Sequence, residues 1–213
     1  MKLYYNPIST YSQKALIAFY EKGIDFEPNI VNLMNPEDLA KYRAVYPMGK
    51  IPCLVLDDDH LIPESSIIIE YIDGMAEPRL IDGNNEQRRK IRFKDRMFDF
   101  YLNDPIVTLL FQGMKPEDQR DPERMATARF RIDTMYNFME AGFEKHSFAS
   151  GDRFSMADCS AAPALFYAEQ TAPFAGHKNI SAYWERLKQR PSVQRTHEEA
   201  RPVLEAFMSK NAA

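Results

Sequence analysis

Residues 2–33, KLYYNPISTYSQKALIAFYEKGIDFEPNIVNL, decide the fold. KLYY is a short aromatic strand. SQKALIAFYEKG carries its apolar residues at helical spacing and closes on Gly23, a natural residue just past a helix C-terminus. FEPNIVNL then returns to an extended pattern. Strand, helix and strand in this order make a βαβ unit. The mouth of the helix is unusual in composition: Ser9, Thr10, Tyr11 and Ser12 place three aliphatic hydroxyls and a phenol where a single cap would suffice.

Working outward, NPEDLAKYRAVYP reads as a short helix with Asn35 as cap, Pro36 in the first helical position, acids in the first turn, and an end before Pro47. IPCLVLDD and HLIPE are two short apolar strands joined by Asp57, Asp58 and Asp59, and SSIIIEYIDGMA is another helix. The order is β-α-β-α-β-β-α, an α/β domain over residues 1–76. From there EPRLIDGNNEQRR is polar and turn-rich, which marks residues 77–87 as a linker. Beyond it the pattern is helical throughout. The runs are NEQRRKIRFKDRMFDFYLNDPIVTLLFQGM, in which Pro105 should kink the helix, DPERMATARFRIDTMYNFMEAGFEKH, SMADCSAAPALFYAEQ, NISAYWERLKQRP and a last helix after QRTHEEARP. Residues 88–213 therefore form an all-helical domain. Within it FSMADCS is a capping signal: Ser155 as cap, Asp158 reaching back, Phe154 stapling onto Cys159.

Composition narrows the function classes. A chain of 213 residues with 45% hydrophobic content supports proper cores. Its 27 basic and 31 acidic side chains give a net charge of −4, so it lacks the cationic field that would attract nucleic acid or an anionic membrane. The N-terminal MKLYYNPIS is no signal peptide, and no run of 18 apolar residues exists for a membrane span, so a cytoplasmic location is expected. Cys53 and Cys159 are far apart and have no metal-like spacing to each other or to His60, His146, His177 and His197. Neither a disulfide scaffold nor a metal site is expected. Cys159, inside the capping signal, reads as a small buried apolar residue.

Four stretches, in order and spacing, resemble the cytosolic-type, bacterial-like glutathione transferases: YYNPISTYSQKALIAFYEKG, YPMGKIPCLVL, PESSIIIEYI, and FSMADCSAAP with YWERLKQRPSVQRT behind it. The resemblance covers essentially the whole chain. It implies a thioredoxin-like βαβαββα domain followed by the helical one, and glutathione as co-substrate with no metal. In GKIPC it implies that Pro52 follows a cis peptide bond, that Ile51 pairs its backbone with the cysteinyl unit of glutathione as an added strand would, and that Lys50 stands near the glycine carboxylate. In PESS, Ser65 and the first helical amides would receive the γ-glutamyl carboxylate and Glu64 the γ-glutamyl ammonium. By their residue types alone, Glu64 and Ser65 are equally good helix-capping material.

The thiolate then falls to the opening stretch. The serine-type members place their hydroxyl at the start of the first helix, where Ser9 stands, and Ser9 is the first choice. Thr10 and Ser12 are alternatives, and Tyr5, at the end of the first strand, matches the tyrosine-type members. Cysteine-type members carry Cys near Thr10; this chain has none there, which removes both a mixed disulfide with glutathione and the dithiol chemistry of thioredoxins. The resemblance further implies an electrophile pocket between the domains, with Ile8, Tyr11, Phe100, Tyr101, Asp104, Thr108 and Phe111 as candidates, and a homodimer. The activity implied is attack of a glutathione thiolate on small, partly apolar electrophiles. The alternatives are a non-catalytic interaction module of the same fold, or a specialised glutathione-dependent dehalogenase, isomerase or peroxidase.

Overall fold

The computed structural model describes residues 1–211, which form two compact units. One comprises residues 1–79 together with the C-terminal helix from Gln194; the other comprises Leu80–Val193.

The first unit is built on β1 (Lys2–Tyr5), α1 (Thr10–Lys22), β2 (Glu27–Ile30), α2 (Pro36–Val45), β3 (Cys53–Val55), β4 (Leu61–Pro63) and α3 (Ser65–Asp73), in the expected order. The four strands make one sheet ordered β2-β1-β3-β4. β1 runs parallel to β2, as a βαβ crossover requires, while β1 with β3 and β3 with β4 are antiparallel. Alternation along β1 sorts its side chains: Leu3 and Tyr5 are buried on one face, and Tyr4 stacks on Tyr42 of α2 on the other. α1 and α3 pack against each other, and α1 is buried from Ser12 to Phe19. Asn35 caps α2 through Oδ1, which accepts from the amides of Glu37 (2.9 Å) and Asp38 (3.4 Å). Lys22, at the end of α1, has its ammonium enclosed against Asp73 (3.3 Å) and the carbonyls of Ala76 and Pro78.

The second unit holds α4 (Asn85–Met97), a π-helical turn (Phe98–Asn103), α5 (Asp104–Gly113), a 3₁₀ turn (Glu117–Gln119), α6 (Pro122–Phe143), α7 (Met156–Thr171) and α8 (Lys178–Lys188). Neighbours on several sides bury α7 along almost its whole length. The expected kink at Pro105 takes a definite form. The amide of Asp104 reaches five residues back to Asp99, and the widened turn is closed by this bond directly before Pro105, which has no N–H to donate. At the start of α7, Asp158 accepts from the Ser155 amide and hydroxyl, both at 2.8 Å, as the capping signal implied. Phe154 packs edge-on against Phe148 under Arg190.

One element differs from its sequence expectation. The last helix, α9 (Pro191–Asn211), starts at Pro191 and runs through Pro202 rather than beginning after it. Pro191 occupies a helix start, where a missing amide costs nothing, and burial of Val193, Thr196 and Ala200 sustains the helix past the one bond that Pro202 removes. Against the first unit, α9 places Glu199 to accept from Tyr20 Oη (2.7 Å) and from Arg195 Nε (3.0 Å), with the Arg195 guanidinium over the Tyr20 ring.

Candidate active site

The register of the sheet gathers three sequence motifs. Tyr4 of β1 lies opposite Cys53 of β3, and Cys53 lies opposite Pro63 of β4. The exit of β1 toward Ser9, the entry to β3 at Ile51-Pro52, and the exit of β4 toward Glu64-Ser65 are therefore at one end of the sheet. Fifty-five residues of sequence separation collapse because two antiparallel pairings bring each strand back to the same edge.

At the first of these, the turn from Asn6 to Ser9 is pinned from all sides. Asn6 Oδ1 accepts from Ile8 N–H (3.1 Å), and Asn6 Nδ2 donates to the Val31 carbonyl (2.9 Å). The Asn6 amide donates to Ser12 Oγ (3.2 Å), and Gln13 Nε2 donates to the Pro7 carbonyl (2.8 Å). Ser9 is the cap of α1, in extended backbone, and its Oγ accepts from the Ser12 amide at 3.4 Å. Ser9 stays partly open to solvent; Thr10 is buried to 7% exposure and Ser12 completely. Tyr5 is buried, edge-on to Phe26, and burial followed by the charge of Glu199 raises its phenol above the ordinary range.

At the second, the Ile51–Pro52 peptide bond is cis. Ile51 lies beyond the paired register of β3, which ends at Cys53, so its N–H and C=O fall outside the ladder. Lys50 is exposed, and its carbonyl accepts from Tyr42 Oη at 2.6 Å. Behind the strand, burial pushes the Cys53 thiol up to about 11, with the neighbouring Tyr42 hydroxyl pulling it the other way.

At the third, Glu64 caps α3 with φ 71° and ψ 120°, a left-handed backbone that a residue with a Cβ adopts only under constraint. No side chain caps the helix. Ser65 is 5% exposed at the first helical position.

The residues nominated for the electrophile divide between the units. Ile8 and Tyr11 belong to the first, at the mouth of α1. Phe100 and Tyr101, about half exposed, stand on the π-helical turn of the second; Asp104 and Phe111 are exposed on α5, and Thr108 donates its hydroxyl to the Asp104 carbonyl at 2.9 Å. Thr108 and Pro105 also line an open groove of about 400 Å³ with Asp121, which caps α6, and Arg124, Thr127 and Arg131 of α6. Sequence reasoning had no signal for those α6 residues, which read as an ordinary solvated face. Among the described residues no group of His, Cys, Asp and Glu is placed to hold a metal, and no helix is long and apolar enough to cross a membrane.

Comparison with known proteins is consistent along the chain. The profile of the glutathione S-transferase N-terminal domain matches residues 3–79, and that of the glutathione S-transferase C-terminal domain matches residues 102–191. Glutathione S-transferase GstA of Escherichia coli O157:H7 is 30% identical over 200 residues, covering 91% of this chain and 96% of the relative. The chain belongs to the glutathione S-transferase family. Glutathione S-transferase F10 of Arabidopsis thaliana is 28% identical over 87% of this chain and 91% of its own. A crystal structure of a Methylobacillus flagellatus glutathione S-transferase with glutathione bound superposes with a TM-score of 0.82 at 26% identity, over 92% of this chain and 98% of that one. All three motifs at the end of the sheet fall within the N-terminal domain match, and this glutathione transferase carries them on a thioredoxin-like sheet followed by a helical domain.

Proposed function

We propose that this glutathione transferase binds glutathione across the end of the sheet formed by Ser9, Ile51-Pro52 and Glu64-Ser65, and that Ser9 holds the thiolate for attack on small, partly apolar electrophiles. The observation that carries the reading is the strand register, Tyr4 opposite Cys53 opposite Pro63, which assembles the three motifs. Each offers a different chemistry to one tripeptide: the Ile51 backbone outside the ladder for the cysteinyl unit, the uncapped amides of α3 with Ser65 for the γ-glutamyl carboxylate, and Glu64 for its ammonium. Lys50, exposed at the same end, supplies a charge for the glycine carboxylate.

A free thiol of pKa near 8.5 is only about 3% ionised at pH 7, and lowering it by about two units requires about 2.7 kcal/mol of anion stabilisation. Ser9 is suited to this. Its oxygen already accepts from the Ser12 amide, which leaves its single proton to donate outward to sulfur while the α1 dipole adds to the field. Ser12 is wholly enclosed and Tyr5 is packed against Phe26, which favours Ser9 over both; Thr10 is the nearest rival. With the thiolate in place the chemistry is nucleophilic attack by a positioned sulfur, helped by proximity to an electrophile held against side chains such as Ile8, Tyr11, Phe100, Asp104 and Thr108. The protein is read as a cytoplasmic homodimer engaged in detoxification, and the exposed Phe93, Phe100, Phe130 and Phe138 on the helical unit support the dimer.

The test is a thiolate-absorbance titration of bound glutathione in the wild type, Ser9→Ala, Thr10→Ala and Tyr5→Phe. Ser9→Ala alone should raise the thiol pKa by about one unit or more. An unchanged pKa in that variant removes Ser9 from the mechanism.

A further inference from the structure

Between the end of β1 and Ser9 the backbone has to leave the sheet at a proline. β1 and β2 pair in parallel with Tyr5 opposite Ile30, and the Val31 amide carries the ladder one step further by donating to the Tyr5 carbonyl at 2.8 Å. In a parallel ladder the next bond runs from the amide of residue 7 to the Val31 carbonyl, and Pro7 has no N–H to give. Asn6 Nδ2 donates there instead, at 2.9 Å. The other atom of the same carboxamide, Oδ1, accepts from Ile8 N–H at 3.1 Å. The Asn6 carbonyl accepts from Ser9 N–H at 3.0 Å, closing a turn with proline in its second position. The Asn6 amide in turn donates to Ser12 Oγ at 3.2 Å, in the first turn of α1. One residue thus joins the end of β2, the turn, the Ser9 backbone and the start of the helix. A donor and an acceptor on one short stem are needed for this: Asp lacks the donor, and Ser lacks the reach to Val31.

We propose that Asn6 is a positioning residue for the Ser9 hydroxyl, holding it toward the glutathione sulfur by making the sheet bond that Pro7 cannot make. It does not touch the ligand. The Ser9 side chain has only one long bond of its own, from the Ser12 amide at 3.4 Å, so its direction depends on the turn that carries it. A donor held in place by its surroundings gives its whole hydrogen bond to the anion, whereas a mobile one spends part of it on being ordered. The inference rests on the role argued above for Ser9 and adds the residue that sets its geometry.

The test is the thiolate-absorbance titration of bound glutathione in the full chain, run on Asn6→Ala, Ser9→Ala and the double variant, with calorimetric binding of S-methylglutathione, which has no thiol to ionise, as the control. Asn6→Ala should raise the pKa of the bound thiol by about half a unit or more and leave S-methylglutathione binding within about threefold of the wild type. In the Ser9→Ala background the same substitution should add nothing, because the hydroxyl through which Asn6 acts is gone. Asn6→Ser keeps a side-chain acceptor for the Ile8 amide but cannot reach Val31; it should fall between wild type and Asn6→Ala, and it takes the place of Asn6→Ala in the cycle if that variant does not fold. A purely structural asparagine would weaken S-methylglutathione as much as glutathione. That result, an unmoved thiol pKa, or an equal rise with and without Ser9 overturns the role of Asn6 while Ser9→Ala keeps its own effect. A Ser9→Ala variant without effect removes Ser9 from the mechanism and the role of Asn6 with it.

Discussion

A hydroxyl can serve a helix and a ligand at once because it has one proton and two lone pairs. Ser9 uses a lone pair on the Ser12 amide, and the proton is what a thiolate needs. The same residue-level accounting makes Cys53 inert. Its thiol is fully buried behind the Ile51-Pro52 turn and raised from 9.0 to about 11, chiefly by burial. In the unfolded chain the thiol ionises at its ordinary value, so the unfolded state loses its proton first as pH rises. The stability contributed by the neutral thiol is therefore complete below about pH 9 and lost on the way to pH 11. Melting temperature followed from pH 8 to 11 should fall less steeply in Cys53→Ala than in the wild type. At neutral pH neither Cys53 nor Cys159 should react with a thiol reagent until the protein is unfolded.

At the scale of elements, α2 and α7 mark opposite extremes. α7 is buried along almost its whole length, whereas α2 buries only Tyr42 and depends on its ends. Most of a helix's stability in a protein comes from its buried face, so α2 is the element most exposed to local opening. Asn35 carries its N-terminus through two amides. Replacing it by Ala should cost about 1 kcal/mol and speed amide exchange across residues 36–45 about fivefold, with exchange in α7 unchanged. Hydrogen exchange resolved by segment reads this directly. The sequence announces α2 fully, through Asn35, Pro36 and the acids that follow, because capping is a local property. It announces α9 badly: Pro202 reads as a breaker, and only burial of Val193, Thr196 and Ala200 by distant residues carries the helix through it.

For the whole molecule, the exposed aromatic side chains of the helical unit are the outstanding feature. Phe130 is 72% exposed on α6, and Phe93, Phe100 and Phe138 are about half exposed on the same helical unit, with Arg131 donating to the Phe100 carbonyl at 2.6 Å. The proposed homodimer would cover such side chains, and it makes a test at this scale. Phe130→Glu should convert a dimer to monomer in sedimentation velocity at micromolar concentration, with the far-ultraviolet circular dichroism unchanged. A wild type that sediments as a monomer removes the dimer from the proposed function.

By itself the sequence determined the order of elements, the division into an α/β part and a helical part, the caps at Asn35 and Asp158, and the absence of a reactive cysteine at the mouth of α1. All of these depend on residues within a turn or two of one another, where periodicity, capping and chemical type act directly. Only the tertiary structure decided that Ser9, Ile51 and Glu64 share one end of the sheet, since strand register is set by pairing between residues as far apart in sequence as Lys2 and Val55. It alone revealed the left-handed Glu64, the π-helical turn before Pro105, and the enclosure of Lys14 against Ser66. In the sequence Lys14 looks like one more solvated lysine, because burial of a charge is a property of what packs around it and leaves no trace in its immediate neighbours.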